Sequence, residues 1–215
     1  MALKQITRLL STFPLALLLA FAPLGSTQAQ DDPFTILFLG DSLTEGLGLE
    51  EGESFPSLLD QRFKAEGRNI EVLNAGISGS TSASGLSRLQ WYIRSQPDLM
   101  VLALGANDGL RGLSVDEMRA NLAKTIEFAQ TNGVQVALTG MLTPPNMGPE
   151  YSNAFARVFP ELAEQYQLPF LPFLLEGVAA VPALNQGDGI HPNVEGTKVV
   201  AETLYQFLLP LLPGT

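Results

Sequence analysis

Phe34-Thr-Ile-Leu-Phe-Leu39 is a short apolar run of strand-forming residues, stopped by Gly40. A run of that length ended by glycine predicts a strand buried on both faces, as in a parallel sheet. Ile70–Asn74, Leu99–Leu104, Val134–Thr139 and Pro169–Leu174 read as four further strands. Leu99–Leu104 is the most apolar of them and the expected centre, whereas Pro172 marks the last as an edge. Between the strands, apolar residues return at helical spacing. Residues 54–66 carry Phe55, Leu58, Leu59 and Phe63 behind a Ser54 cap, with Pro56 in the first turn. Residues 86–95 place Leu86, Leu89, Trp91 and Ile93 partly inward, and helices are also expected over 115–131, 151–167 and 194–209. Strands alternating with helices throughout predict an α/β fold, a three-layer α/β/α sandwich on a five-stranded parallel sheet. No repeat or linker interrupts the pattern, so residues 30–215 read as one domain.

The N-terminus breaks the pattern. Lys4 and Arg8 precede the apolar run Phe13–Ala22, and Thr27-Gln28-Ala29 is a small-x-small cleavage site. The run is short for a membrane span of about 20 residues and has Pro14 and Pro23 at its edges. Residues 1–29 are therefore expected to be a cleaved secretory signal peptide, with Gln30 as the mature start and a periplasmic or secreted product without a stable membrane anchor.

Composition narrows the partners. Of 215 residues, 12 are Lys or Arg and 22 are Asp or Glu, a formal net charge of -10. An acidic surface argues against nucleic acid and anionic membranes as electrostatic partners. With no cysteine, disulfides, thiolate metal sites and a cysteine nucleophile are excluded. Gly46, Gly48 and Gly52 miss the dinucleotide spacing and lie among acidic residues, so nucleotide binding there is rejected.

The polar chemistry gathers after the strands. Ser42 follows the first, where a reactive hydroxyl would be useful, although Ser42-Leu-Thr-Glu45 also fits a capping box with serine as helix cap. A loop of small residues, Ala75–Gly85, follows the second and can aim a backbone N–H at an anion. Gly105-Ala-Asn107-Asp108-Gly109 follows the third and reads first as turn chemistry, with a placed Asn107 amide at the sheet's carboxyl edge as the functional alternative. His191 is the only histidine. Asp188 lies three residues before it, with Gly189 allowing a tight bend. A serine hydroxyl is a poor nucleophile until a base takes its proton, and a carboxylate can orient that base. The Ser42 N–H, a backbone N–H at Gly79 and the Asn107 amide are candidate oxyanion donors. Taken singly, each residue has a structural explanation. Their convergence on one sheet edge shifts the balance.

Four segments resemble the conserved blocks of the SGNH (GDSL-type) hydrolases, in order: Gly40-Asp-Ser-Leu43, Asn74-Ala-Gly-Ile-Ser-Gly79, Gly105-Ala-Asn-Asp108 and Asp188-Gly-Ile-His-Pro192. One departure is Ala106, where a second glycine is often found. The resemblance implies a flavodoxin-like fold, Ser42 as nucleophile, His191 as base and Asp188 as its orienter. It also implies an oxyanion hole of Ser42, Gly79 and Asn107, and no metal or cofactor. Within the family the chain looks most like the periplasmic thioesterase, lysophospholipase and arylesterase group. That likeness implicates Asp108, Gly109, Leu110, Pro145, Asn146, Tyr151 and Ile190 in substrate binding. It points to a small acyl ester or a lysophospholipid as substrate and to a monomer. A carbohydrate O-deacetylase and a non-catalytic binding module remain as alternatives.

Overall fold

A computed structural model describes residues 32–214. The expected signal peptide lies outside the described residues. The strands are β1 (Phe34–Gly40), β2 (Ile70–Gly76), β3 (Leu99–Ala103), β4 (Gln135–Thr139) and β5 (Phe170–Leu171). They form one sheet in the order β2-β1-β3-β4-β5, every neighbouring pair parallel. β3 is central and β5 is an edge, as expected. The chain runs outward from β1 to β2, then crosses back to β3. That reversal leaves a crevice at the carboxyl ends of β1 and β3, where open α/β sheets take ligands.

The helices are α1 (Ser42–Glu45), α2 (Phe55–Ala65), α3 (Gly85–Tyr92), α4 (Ala106–Leu110), α5 (Val115–Thr131), α6 (Pro149–Tyr166) and α7 (Val194–Leu208). Side chains alternate across the central strands and supply two cores. Ile36, Phe38, Leu99 and Val101 pack with Phe55, Leu59 and Phe63 of α2 and Leu204 and Leu208 of α7. Leu37, Leu39, Met100 and Leu102 pack with Leu89 of α3, Met118 and Leu122 of α5 and Phe155 and Phe159 of α6. Both faces of β1 and β3 are therefore covered, which is why their sequences are apolar without alternation.

Several expectations need correction. Asp41, not Ser42, caps α1: its carboxylate accepts the Leu43 N–H at 3.1 Å. Ser42 is the first residue of the helix, so its hydroxyl is not spent on a cap. The Asn-Asp-Gly stretch expected as a turn is the short helix α4, entered through Gly105 at φ 118°. Trp91 faces outward, 66% exposed, with the Arg94 guanidinium 4.0 Å above its ring. The last strand keeps only Phe170–Leu171, because Pro169 and Pro172 on either side have no N–H for the ladder.

Candidate active site

The site is built from the end of β1. A Cβ on Gly40 would stand 1.8 Å from Thr44 Oγ1, so glycine alone lets α1 begin directly on the strand end. Ser42 then projects from the first turn of α1, 8% exposed. Its Oγ lies 2.9 Å from His191 Nε2, across 149 residues of chain. On the far side of the ring, Nδ1 is 2.5 Å from Asp188 Oδ2. A carboxylate can only accept there, so Nδ1 carries the ring proton and Nε2 is left to accept from the serine.

Asp188 is held by its own loop. Its Oδ1 accepts the backbone N–H groups of Ile190 at 3.0 Å and His191 at 3.1 Å, around Gly189 at φ 74°. The hydrogen bond from His191, with those two N–H groups, pulls its carboxyl down to about 2. It is therefore ionised at any pH where the protein would work. The loop is anchored twice. Gln186 N–H donates to His191 O at 2.8 Å, and Gln186 Nε2 donates to Leu47 O at 2.7 Å, beyond α1.

Asn107, on α4, meets the Ser42 side of the site. Its Nδ2 lies 3.4 Å from Asp41 Oδ2. Asp41 is 1% exposed, and burial pushes its carboxyl up to about 6 against the opposing pull of the Leu43 N–H and the Asn107 amide. The loop after β2 is pinned between α1 and α4. Ser78 N–H donates to Glu45 Oε2 at 2.7 Å, and Arg111 Nη2 donates to Gly79 O at 2.9 Å.

A cavity of about 330 Å³ opens beside Ser42 and His191. Leu110, Met141, Pro145, Phe173 and Ile190 make its walls largely apolar. A hydroxyl polarised by imidazole, next to amide donors and an apolar cleft, can attack an acyl carbonyl and hold what is attached to it.

Residues 38–199 match the GDSL-like Lipase/Acylhydrolase family. The chain belongs to that family. It is 42% identical to "Esterase TesA" of Pseudomonas aeruginosa over 83% of this chain and 89% of that one. It is 38% identical to an "Arylesterase" of Vibrio mimicus, covering 91% and 96%. With "Thioesterase 1/protease 1/lysophospholipase L1" of Escherichia coli it shares 35% identity over 83% and 85%. The solved structure "Crystal Structure of TesA" superposes with a TM-score of 0.79 at 42% identity, covering 83% of this chain and 99% of that one.

In this GDSL hydrolase the candidate binding residues divide. Leu110, Pro145 and Ile190 line the cavity. Asp108, Gly109, Asn146 and Tyr151 are not among its lining residues. Asp108 is buried and turned inward, accepting from Ser82 N–H at 2.8 Å and Ser82 Oγ at 2.6 Å. Gly109 packs against the Phe155 ring, which a Cβ would meet at 2.9 Å. The Tyr151 hydroxyl donates to Leu113 O at 2.9 Å, bracing the end of the α4 loop from behind. Asn146 is exposed. The sequence reading missed Asp41, Phe173, Ala179, Ala180 and Asn185, which also line the cavity. Phe173 was read into the last strand, which in fact stops at Leu171, and the stretch from Ala179 to Asn185 has no periodic signal. Asp41 does have a signal: a carboxylate before a possible helix start competes with the following serine for the cap.

Proposed function

We propose that the chain is a serine ester hydrolase that cleaves carboxylic esters through an acyl-serine intermediate. One observation carries the reading: the unbroken hydrogen-bonded line from Ser42 through His191 to Asp188, opening on an apolar cavity. Ser42 Oγ attacks the acyl carbonyl as its proton passes to His191 Nε2. The Asp188 carboxylate stabilises the imidazolium and keeps its orientation. The oxyanion is taken by the Ser42 N–H, the Gly79 N–H and the Asn107 amide. On collapse, the C–O bond to the leaving alcohol breaks and His191 returns the proton to that oxygen. Water, deprotonated by His191, then attacks the acyl-serine, and the acid leaves as Ser42 regains its proton. No step in this sequence calls for a metal or cofactor.

The apolar walls favour acyl chains over acetylated sugar, so the substrates are small acyl esters, from aryl esters to lysophospholipids. Leu110, Pro145 and Ile190 are the residues assigned to the acyl chain. Every group in the proposed site comes from one chain, which suits a monomer. Among the described residues no helix is long and apolar enough to cross a membrane. The N-terminal pattern supports export to the periplasm or beyond, with residues 1–29 removed.

The test is a series of p-nitrophenyl esters from acetate to palmitate, on purified protein and on Ser42→Ala. Loss of at least ~10³-fold in turnover in Ser42→Ala is expected, with an optimum at intermediate or longer chains. Activity confined to acetate would favour the deacetylase instead. Undiminished turnover by Ser42→Ala would end the assignment.

A further inference from the structure

Arg88, on α3, points its guanidinium beneath the site rather than to solvent. Its Nη1 donates to Gly40 O at 2.9 Å and its Nη2 donates to Ala75 O. Those carbonyls lie at the ends of β1 and β2, the neighbouring strands that carry Ser42 and the Gly79 loop. Gly40 O also accepts the Ile77 N–H at 3.3 Å, so one oxygen joins the nucleophile strand, the loop and the arginine. The buried Nε has no hydrogen-bond partner among the described residues. Burial pulls this guanidinium below its usual range, and the nearby Tyr92, Asp41 and Glu45 oppose that pull. A half-buried cation with an unsatisfied donor is a costly way to join two strands that already share a ladder. What the ladder does not reach is the chain just beyond it, where the register ends at Gly40 and Gly76 and separate bonds at Ile77, Ser78 and Gly79 take over.

We propose that Arg88 is a positioning residue for the oxyanion hole, fixing the separation of the Ser42 and Gly79 N–H groups by bridging the Gly40 carbonyl of β1 and the Ala75 carbonyl of β2. It touches neither substrate nor the reacting atoms. Its effect therefore belongs to the transition state, where the two N–H groups must converge on one oxygen, and not to ground-state binding. The proposal rests on the reading of Ser42 as nucleophile.

Arg88→Met keeps the aliphatic stem and removes both donors. Arg88→Lys keeps the charge but can reach one carbonyl at a time. For p-nitrophenyl butyrate, Arg88→Met is expected to lower kcat about 10- to 100-fold, with KM changed less than about threefold. Affinity for a boronic acid, which adds to the serine as a tetrahedral anion, is expected to fall in parallel with kcat. Arg88→Lys should recover part of both. All rates are normalised to folded protein by circular dichroism. If Arg88→Met does not fold, Arg88→Lys carries the same comparison. Wild-type kcat in the folded variant, or a kcat loss with unchanged boronic acid affinity, would overturn the role of Arg88. Hydrolysis persisting in Ser42→Ala would instead overturn the reading beneath it.

Discussion

Two aspartates flank the Ser42–His191 pair, and their environments drive them in opposite directions. Asp41 sits at the strand end, 1% exposed, with its carboxyl pushed up to about 6. Asp188 sits on the histidine loop, its side chain 45% exposed, with its carboxyl pulled down to about 2. Burial outweighs two donors at Asp41, whereas three donors at Asp188 act with almost no burial to oppose them. The strand-end side of the site is thus held by packing and buried polar bonds and carries a cost in stability. The histidine side is held by a local turn, and its carboxylate bonds the imidazole.

That contrast predicts separable effects. The largest is on the histidine side. Asp188→Asn is expected to lower kcat by about 10³- to 10⁴-fold through loss of the correct tautomer. Its thermal midpoint in a calorimetric scan should fall only modestly, because solvent screens the stabilisation from this exposed carboxylate. A large drop in the midpoint would erase the distinction between the two sides. Next, Asn107→Ala should lower kcat by about 10²- to 10³-fold with KM little changed in steady-state kinetics, the loss expected of an oxyanion donor. A rise in KM at constant kcat would move Asn107 to ground-state binding.

The third effect falls on stability. The folded pKa of Asp41 is raised above its ordinary 3.8, so the native state holds this proton more tightly than the unfolded chain. The contribution of Asp41 is then most favourable below about pH 4 and lost as pH rises through about 6. The span is about two pH units, or about 3 kcal/mol at about 1.4 kcal/mol per unit. Asp41→Asn should therefore gain stability over wild type as urea melts are moved from pH 4.5 to pH 7.5. A constant difference would mean that Asp41 does not titrate in that window. Asp188 has the opposite sign, with its stabilisation present above about pH 4 and lost as pH falls toward 2. The smallest effect belongs to the cavity. Leu110→Ala should lower kcat/KM for the preferred chain lengths of the p-nitrophenyl series by about 5- to 30-fold, about 1–2 kcal/mol of apolar contact. An unmoved profile would place the acyl chain elsewhere.

Legibility followed the range of the physics. The five strands, the sheet centre and edge, and the helix over Val115–Thr131 could be read because burial on one or both faces writes a period into neighbouring residues. Ser42, Gly79, Asn107, Asp188 and His191 were candidates because each falls just after a strand or just before the last helix. The errors have local causes as well. Asp41 outcompeted Ser42 for the cap by reaching the Leu43 N–H. Trp91 found a cation–π partner in Arg94 at the surface. The cavity wall after Phe173 left no pattern, because irregular chain has no period to betray which side is buried.

By itself, then, the sequence determined the alternation of strands and helices, the parallel sheet and the residue types available for ester chemistry. Hydrophobic spacing and backbone preference act within a few residues and need no partner. Only the tertiary structure decided that His191 Nε2 stands 2.9 Å from Ser42 Oγ across 149 residues. It also decided that Asp108 turns inward while Leu110 faces the cavity, that Arg88 reaches two strand ends, and that Asp41 and Asp188 titrate apart. Those outcomes depend on burial and on contacts between distant segments, and both exist only once the sheet and its two layers of helices have closed around them.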